Sequence, residues 1–520
     1  MKRGIIKMVL LPAAVTFFMQ SLYADIKPSP LFTDNAVLQR DSEVPVWGTA
    51  PAGESVTVDF AGQTRQTVAD DQGRWEVRLA PMPANVKGNL TLRGKNVVVL
   101  TNLITGDVWL CSGQSNMEYP VNGVTNAAAE IAAANLPDIR QLKIPVNPSP
   151  EPQPDTYIKA NWQPASPKTV SDFTAVGYFF AREIHKNLGV PIGIINSTLG
   201  GTRIEQWTPL EVLKTATAYP RILERRKGEM ASWPARAKTF EAELKAWETN
   251  TAAARVAHQP EPQKPWSPGP PDAGRNMPAQ LYNGMIHPLG HFPIKGVLWY
   301  QGESDADANV GVVETAGYTD LQSRMIQTWR KDWQLGNFPF YFVQLPNWIA
   351  AYDPSKTSWA FFREAQANIL KVPNTGMAVT IDIGESGNVH PKNKQEVGRR
   401  LALIALAGTY GRPVVASGPV MSGCTVVGNT IRVDFDHADS GLRIRGDSPL
   451  SGFEIAVADG KFIPATAKLE QNAVVVSSPQ IPQIQNPTWI RYAWVNDPSV
   501  NLFNGDGLPA APFRTDTLKK

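Results

Sequence analysis

Apolar and polar positions change their period twice along this chain. From residue 25 to about 100 they alternate in short runs: Val44-Pro-Val-Trp-Gly48, Ser55-Val-Thr-Val-Asp-Phe60, Trp75-Glu-Val-Arg-Leu79 and Leu90-Thr-Leu-Arg93. Turn residues at Pro51-Ala-Gly53 and Asp70-Asp-Gln-Gly73 separate them, which predicts a small antiparallel β-sandwich. No exposed aromatic row stands out, so a packed structural domain is favoured over a sugar-binding module. From about 101, apolar runs at 107–111, 192–195, 295–300, 339–345 and 377–382 alternate with helical spacings. Val176, Phe180, Ile184 and Leu188 stand four apart and stop at Gly189. Leu321, Met325, Trp329 and Trp333 repeat the spacing, and Val397, Leu401, Ile404 and Gly408 follow with a stop expected at Gly411. Strands alternating with helices predict a parallel sheet covered on both faces.

Residues from 210 to about 275 interrupt that scheme. Phe240, Leu244 and Trp247 mark a charged, alanine-rich helix, which Pro234 is expected to separate from an earlier one. The proline-rich run Pro260 to Pro271 follows, so the whole reads as a helical insertion beside the site mouth. After about 415 the alternation returns in Thr430-Ile-Arg-Val-Asp-Phe435, Phe453-Glu-Ile-Ala-Val457, Ala473-Val-Val-Val476 and Trp489-Ile-Arg-Tyr-Ala-Trp494. The predicted organisation is α/β, with β-domains at 25–100 and 416–520 around a domain at 101–415.

Composition narrows this picture little: 42% apolar and 19% charged is that of a folded globular protein. Charge says more. Residues 1–24 join a basic start (Lys2, Arg3, Lys7) to an apolar stretch, Met8 to Met19, and a plausible cut after Leu22-Tyr23-Ala24. That stretch is short against the roughly 20 residues of a membrane span. A cleaved secretory signal is therefore expected, with a secreted or periplasmic product. The full chain is +3, and the leader carries three positive charges and no acid. The rest is formally neutral, so nucleic acid and anionic membranes are poor partners. Cys111 and Cys424 are the only cysteines. Both are expected as buried, inert thiols, with a bridge between them as the minority case, and neither has the neighbours of a metal site.

Candidate chemistry starts at Ser115, in Asp107-Val-Trp-Leu-Cys-Ser-Gly-Gln-Ser-Asn-Met-Glu118, just past the carboxyl end of a predicted strand. Crevices in open α/β sheets form at that edge, although a lone Gly-x-Ser is weak. A serine nucleophile needs a base, a group to orient it and donors for the oxyanion. Of the six histidines, His390 alone follows a strand on the same edge. His185, His258, His287, His291 and His437 fall in a helix, the insertion, the opposite edge or the last β-domain. Two further polar loops end strands there: Asn196-Ser-Thr-Leu-Gly-Gly-Thr-Arg203 and Trp299-Tyr-Gln-Gly-Glu-Ser-Asp305.

Gly113-Gln-Ser-Asn-Met117, Gly200-Gly-Thr-Arg-Ile-Glu-Gln-Trp207, Trp299-Tyr-Gln-Gly-Glu-Ser304 and His390-Pro-Lys-Asn-Lys394 together resemble the motif blocks of the sialate O-acetylesterase family. The ending Ile490-Arg-Tyr-Ala-Trp494, with Gly507-Leu-Pro509 and Pro512-Phe-Arg514, is similar to that family's C-terminal β-domain. The resemblance implies an SGNH-type (GDSL-like) three-layer α/β/α hydrolase domain between two β-domains, with no metal or other cofactor. It implies Ser115 as nucleophile and His390 as general base. The oxyanion donors would be the Ser115 N–H, an N–H of Gly200 or Gly201, and the Gln301 side chain, with Ser304 as its rival. The pattern departs from the family at the acid: Gly387 stands three residues before His390, where an aspartate is usual, and Asn388 follows it. Asp382, read as a strand end, is preferred to Glu385, and a dyad oriented by a backbone carbonyl is the third option. Arg203 and Glu303 are expected to pair with each other ahead of touching substrate, and Trp207, Trp299 and Tyr119 either stack on sugar or pack. The expected substrate is an acetylated carbohydrate, either an O-acetyl sialic acid or a plant-wall glycan such as xylan or xyloglucan. A sialate would need a cation, for which Arg203 is the candidate. A non-catalytic glycan binder and a lipid esterase are weaker readings.

Overall fold

The computed structural model describes residues 25–516 apart from 266, 268, 272–273, 307–310, 458–459 and 479–486. The predicted leader, 1–24, lies outside the described residues. Among the described residues, no helix is long and apolar enough to cross a membrane.

One strand organises the fold. β1 (Val97–Gly113) runs for 17 residues, and its burial changes halfway along. Residues 97–101 alternate between exposed and half-buried, 102 is exposed, and residues 103–113 are all buried. The first half pairs antiparallel with Lys87–Arg93, within the N-terminal strands. The second half is the centre of a parallel sheet. The change of period near 100 therefore falls inside a single strand, shared by two regions.

The sheet continues through β2 (Leu136–Lys143), β3 (Gln163–Ala165), β4 (Ile192–Thr198), β5 (Gly296–Tyr300), β6 (Phe340–Val343) and β7 (Thr375–Ala378). Their spatial order is 3-2-4-1-5-6-7. All pairings are parallel except β3 on β2. β2 escapes the hydrophobic pattern because Pro137, Asp138, Arg140 and Gln141 interrupt it. Register separates the two faces, since side chains alternate along a strand. Cys111 lies under Gly177, and Trp109 meets Phe180 edge-on at 4.9 Å, so this face packs on α2 (Ala175–Leu188). Trp299 pairs with Ser112, one residue on, and meets Trp329 of α4 (Gly311–Trp333) at 5.9 Å on the other face.

Helix ends follow local chemistry. α2 begins at Thr174, whose hydroxyl accepts from the Gly177 N–H, and ends at Gly189 in the left-handed conformation, φ 67. Residues Tyr219–Val256 form one 38-residue helix, α3, with Pro234 inside it. The expected break at Pro234 is not there: a proline removes one backbone hydrogen bond, and the long helix on either side absorbs it.

After residue 419 two four-stranded antiparallel sheets form, one around Thr430–Asp436 and Ala473–Ser477, the other around Phe453–Ala456 and Trp489–Tyr492. Their core includes Ile381, from the loop that leads to His390. β7 ends at Ala378, so the run 377–382 is only partly strand and Asp382 stands in a turn beyond it. Cys111 and Cys424 are both free, and Cys424 is exposed on the edge strand Val420–Val427, where burial was expected.

Gly113 is the tightest point of the frame. Its φ is 128, and an added Cβ would strike the Tyr300 carbonyl. Gly113→Ala is expected to destabilise the protein by about 2 kcal/mol or more through strain and collision, read as a lower midpoint in thermal or urea unfolding; an unchanged midpoint would show that the turn has slack.

Candidate active site

At the carboxyl end of β1 the chain turns sharply, because the Gln114 N–H donates to the Tyr300 carbonyl at 3.0 Å. The short helix α1 (Ser115–Glu118) starts there. Gln114 makes no side-chain cap to it, which leaves the first-turn N–H groups beside Ser115 unsatisfied by the helix. His390 reaches the same point from the loop between β7 and α6 (Lys394–Gly408), α5 being Ser358–Ala367. Its Nε2 lies 2.7 Å from Ser115 Oγ, within the reach of a nucleophile–base pair. The His390 loop holds its own shape. The His390 N–H donates to Asn388 Oδ1 at 3.0 Å, and Asn388 Nδ2 donates to the His390 carbonyl at 2.9 Å. Burial, with the Lys394 charge as a smaller cause, holds the imidazole below its ordinary value of 6.5.

No carboxylate among the described residues hydrogen-bonds the His390 ring. Asp382 is taken by guanidinium groups: Arg400 Nη1 and Nη2 lie 2.6 and 2.8 Å from its two oxygens, and Arg445 Nη1 lies at 3.2 Å. The preference for Asp382 rested on a strand end, and the strand stops four residues short of it. Glu385 accepts from the Lys392 N–H at 2.7 Å and from Asn388 Nδ2 at 3.0 Å, so it staples the loop from within. Both carboxylates hold the surroundings of His390 without touching its ring.

The oxyanion candidates divide. Gly200 lies against Ser115, since an added Cβ would sit 3.2 Å from Ser115 Cβ, and its N–H donates to Glu118 Oε2 at 2.8 Å. Gly201 takes a positive φ, 69. Gln301 is fully buried and committed: Nε2 lies 2.6 Å from Asp305 Oδ2 and 3.1 Å from the Thr202 carbonyl, and Oε1 accepts from Tyr318 at 2.9 Å. Its rival Ser304 donates its N–H to Gln114 Oε1. The Gln301 amide is spent on these partners, and Ser115 is not among them.

The residues expected at substrate also move. Trp207 is fully buried, with its Nε1 on Thr202 Oγ1 at 3.0 Å and its ring edge-on to Trp299, so it packs. Glu303 accepts from Asn116 Nδ2, and burial raises its carboxyl. Arg203 does not pair with Glu303; it lies in the field of buried Asp305 and Glu205. A cavity of about 460 Å³ opens over the dyad, lined by Ser115, Glu118, Tyr119, Pro120, Lys143, Asp172 and His390. Glu118, Lys143 and Asp172 were missed. Glu118 was the most legible, being one helical turn from Ser115 and so on its face. Among the described residues, no group of three or more His, Cys, Asp or Glu side chains is arranged to hold a metal.

Asp382→Asn separates support from catalysis. With Arg400 and Asp382 both almost fully buried, breaking the pair is expected to cost about 3 kcal/mol of stability. The kcat of the folded protein is expected to stay within about tenfold of wild type. A loss near 10⁴-fold, as for an aspartate that fixes the histidine tautomer, would contradict this.

A family model, "Carbohydrate esterase, sialic acid-specific acetylesterase", matches residues 105–243 and 255–407. The mouse sialate O-acetylesterase is 29% identical, with 93% of each chain aligned. The human sialate O-acetylesterase is 26% identical over 92% of this chain and 90% of its own. A crystal structure of a carbohydrate acetylesterase from Xanthomonas citri is 36% identical, with a TM-score of 0.80 over 95% of this chain and all of that one. The chain therefore belongs to the sialic acid-specific acetylesterase family of carbohydrate esterases, and is a carboxylic ester hydrolase.

Proposed function

We propose that the protein is an exported esterase that removes acetyl groups from carbohydrate through an acetyl-enzyme on Ser115, with His390 as sole side-chain partner. The observation that carries this reading is the 2.7 Å contact between Ser115 Oγ and His390 Nε2 at the floor of a cavity. Within it, the chain has the SGNH three-layer arrangement over 101–415, with β-domains at 25–100 and 416–520, and the basic-apolar start is its export signal.

Each step follows from the dyad. Ser115 Oγ bonds to the acetyl carbonyl carbon as its proton passes to His390 Nε2. The carbonyl oxygen becomes an oxyanion, received by the Ser115 N–H at the start of α1 and by the Gly200 N–H once Glu118 gives way. Collapse breaks the bond to the sugar oxygen, which leaves with the proton from His390. Water then gives a proton to His390 and its oxygen to the acetyl carbon, and acetate departs as Ser115 regains its hydrogen. No carboxylate stabilises the imidazolium in this scheme, so positioning and the backbone donors supply more of the rate.

Family membership favours an O-acetyl sialic acid as substrate. Lys143 is then the cation for its carboxylate, because it lines the cavity and Arg203 does not. A second reading, a neutral acetylated hemicellulose, is supported by Glu118 and Asp172, two carboxylates on the same lining that repel an anionic sugar. Acetate release from O-acetyl sialic acid against acetylated xylan or xyloglucan decides between them. Lys143→Met raises KM on the sialate alone if the first reading holds, and leaves both substrates equal if it does not.

Ser115→Ala is expected to lower acetate release by at least about 10³-fold; wild-type turnover in that variant would sink the reading. Because His390 acts unprotonated and its folded environment lowers its affinity for a proton, kcat/KM should fall in acid with a midpoint below 6.5. A midpoint above 6.5 would contradict His390 as the base.

A further inference from the structure

Next to the dyad, packed against the cavity-lining Tyr119, a lysine is buried. Lys394, the first residue of α6, has no exposed surface. Its Nζ donates to Asn116 Oδ1 and lies 5.0 Å from the Tyr119 ring centre and 5.3 Å from that of Tyr300. Asn116 is itself fully buried and follows the nucleophile directly. Its Nδ2 donates to Glu303 and, at 2.9 Å, to the carbonyl of Val389, the residue before His390. One amide thus ties together the nucleophile turn, the loop after β5 and the loop of the base, and the ammonium holds that amide.

Burying an ammonium costs several kcal/mol when it is not fully compensated. The compensation here is partial: Glu303 Oε1 is taken by Asn116, while Oε2 has no partner among the described residues. Cost of this kind concentrates at functional sites. The titratable groups facing Lys394 are Glu303, Glu385, Tyr119, Tyr300 and His390. Burial lowers Lys394 to about 7, with the two carboxylates opposing it. The side chain is therefore charged through the acid range in which a histidine would take up its proton.

We propose that Lys394 is a positioning residue for the Ser115–His390 dyad, clamping the Asn116 amide that joins the nucleophile turn to the loop of the base and placing its ammonium in that joint. This charge stands on the opposite side of the electrostatic balance from a triad aspartate. An aspartate favours the imidazolium, whereas Lys394 disfavours it and so keeps the base competent at lower pH. The proposal rests on His390 being the base.

The test is the pH dependence of kcat/KM on 4-nitrophenyl acetate for wild type and three variants. Lys394→Met removes the charge and the hydrogen bond, Lys394→Gln removes the charge and keeps a donor for Asn116, and Lys394→Arg keeps the charge. The neutral variants are expected to move the acid midpoint upward by at least about 0.3 unit, a twofold lower rate on the acid side relative to the plateau. The arginine variant keeps the wild-type midpoint, which also covers the case in which a neutral variant does not fold. A folded neutral variant with lower kcat and an unmoved midpoint, or an arginine variant with a raised one, overturns the proposal. His390→Ala keeps the two readings apart: if it retains wild-type activity the dyad fails, and if it is inactive while Lys394→Gln leaves the midpoint in place only the role of Lys394 fails.

Discussion

The hydrogen bond between Ser115 and His390 joins residues 275 positions apart, and much of the fold can be understood as the means of making it. A parallel sheet brings the carboxyl ends of its strands to one edge, which is where both residues stand. Gly113 then permits a turn so close to Tyr300 that no side chain fits, and α1 begins with Ser115 as its first residue. On the other side, Asn388 and Glu385 hold the loop that carries His390 through bonds within the loop.

Charge around the dyad is arranged for support more than for contact. Asp382, buried between Arg400 and Arg445, links α6 to the C-terminal strands, and Ile381 beside it enters their core. The region after 419 therefore grips the loop that carries His390, although none of its described residues lines the cavity. Glu303 and Lys394 meet through Asn116 beneath the nucleophile. The cavity itself presents a mixed set of two carboxylates, Glu118 and Asp172, and one lysine, Lys143.

The pairing of Ser115 with His390 was legible in the sequence because both depend on local pattern: an apolar run that breaks into a polar loop, read four times on one edge. It misled wherever a side chain's partner lies far along the chain. Asp382 has the right type and a plausible place, and only the fold shows that Arg400 and Arg445 occupy it. Gln301 and Trp207 sit in motif blocks, and their burial comes from Tyr318, Thr202 and Trp299 closing around them. Regular structure was lost in the same way. Polar residues in β2 hide a strand that the sheet stabilises, and Pro234 passes inside a helix long enough to bear one missing bond. Lys394 was visible as the end of a motif, but nothing local announces a lysine with no exposed surface.

The central claim is that Ser115 carries the acetyl group between sugar and water. Rapid acid quenching of the protein during steady turnover of an acetyl ester, followed by peptide mass mapping, tests it without altering any residue. The account predicts one acetyl group on Oγ of Ser115 in the quenched protein, and none once the ester is exhausted. Acetate release with Ser115 unmodified throughout, or with the acetyl group on another side chain, would contradict it.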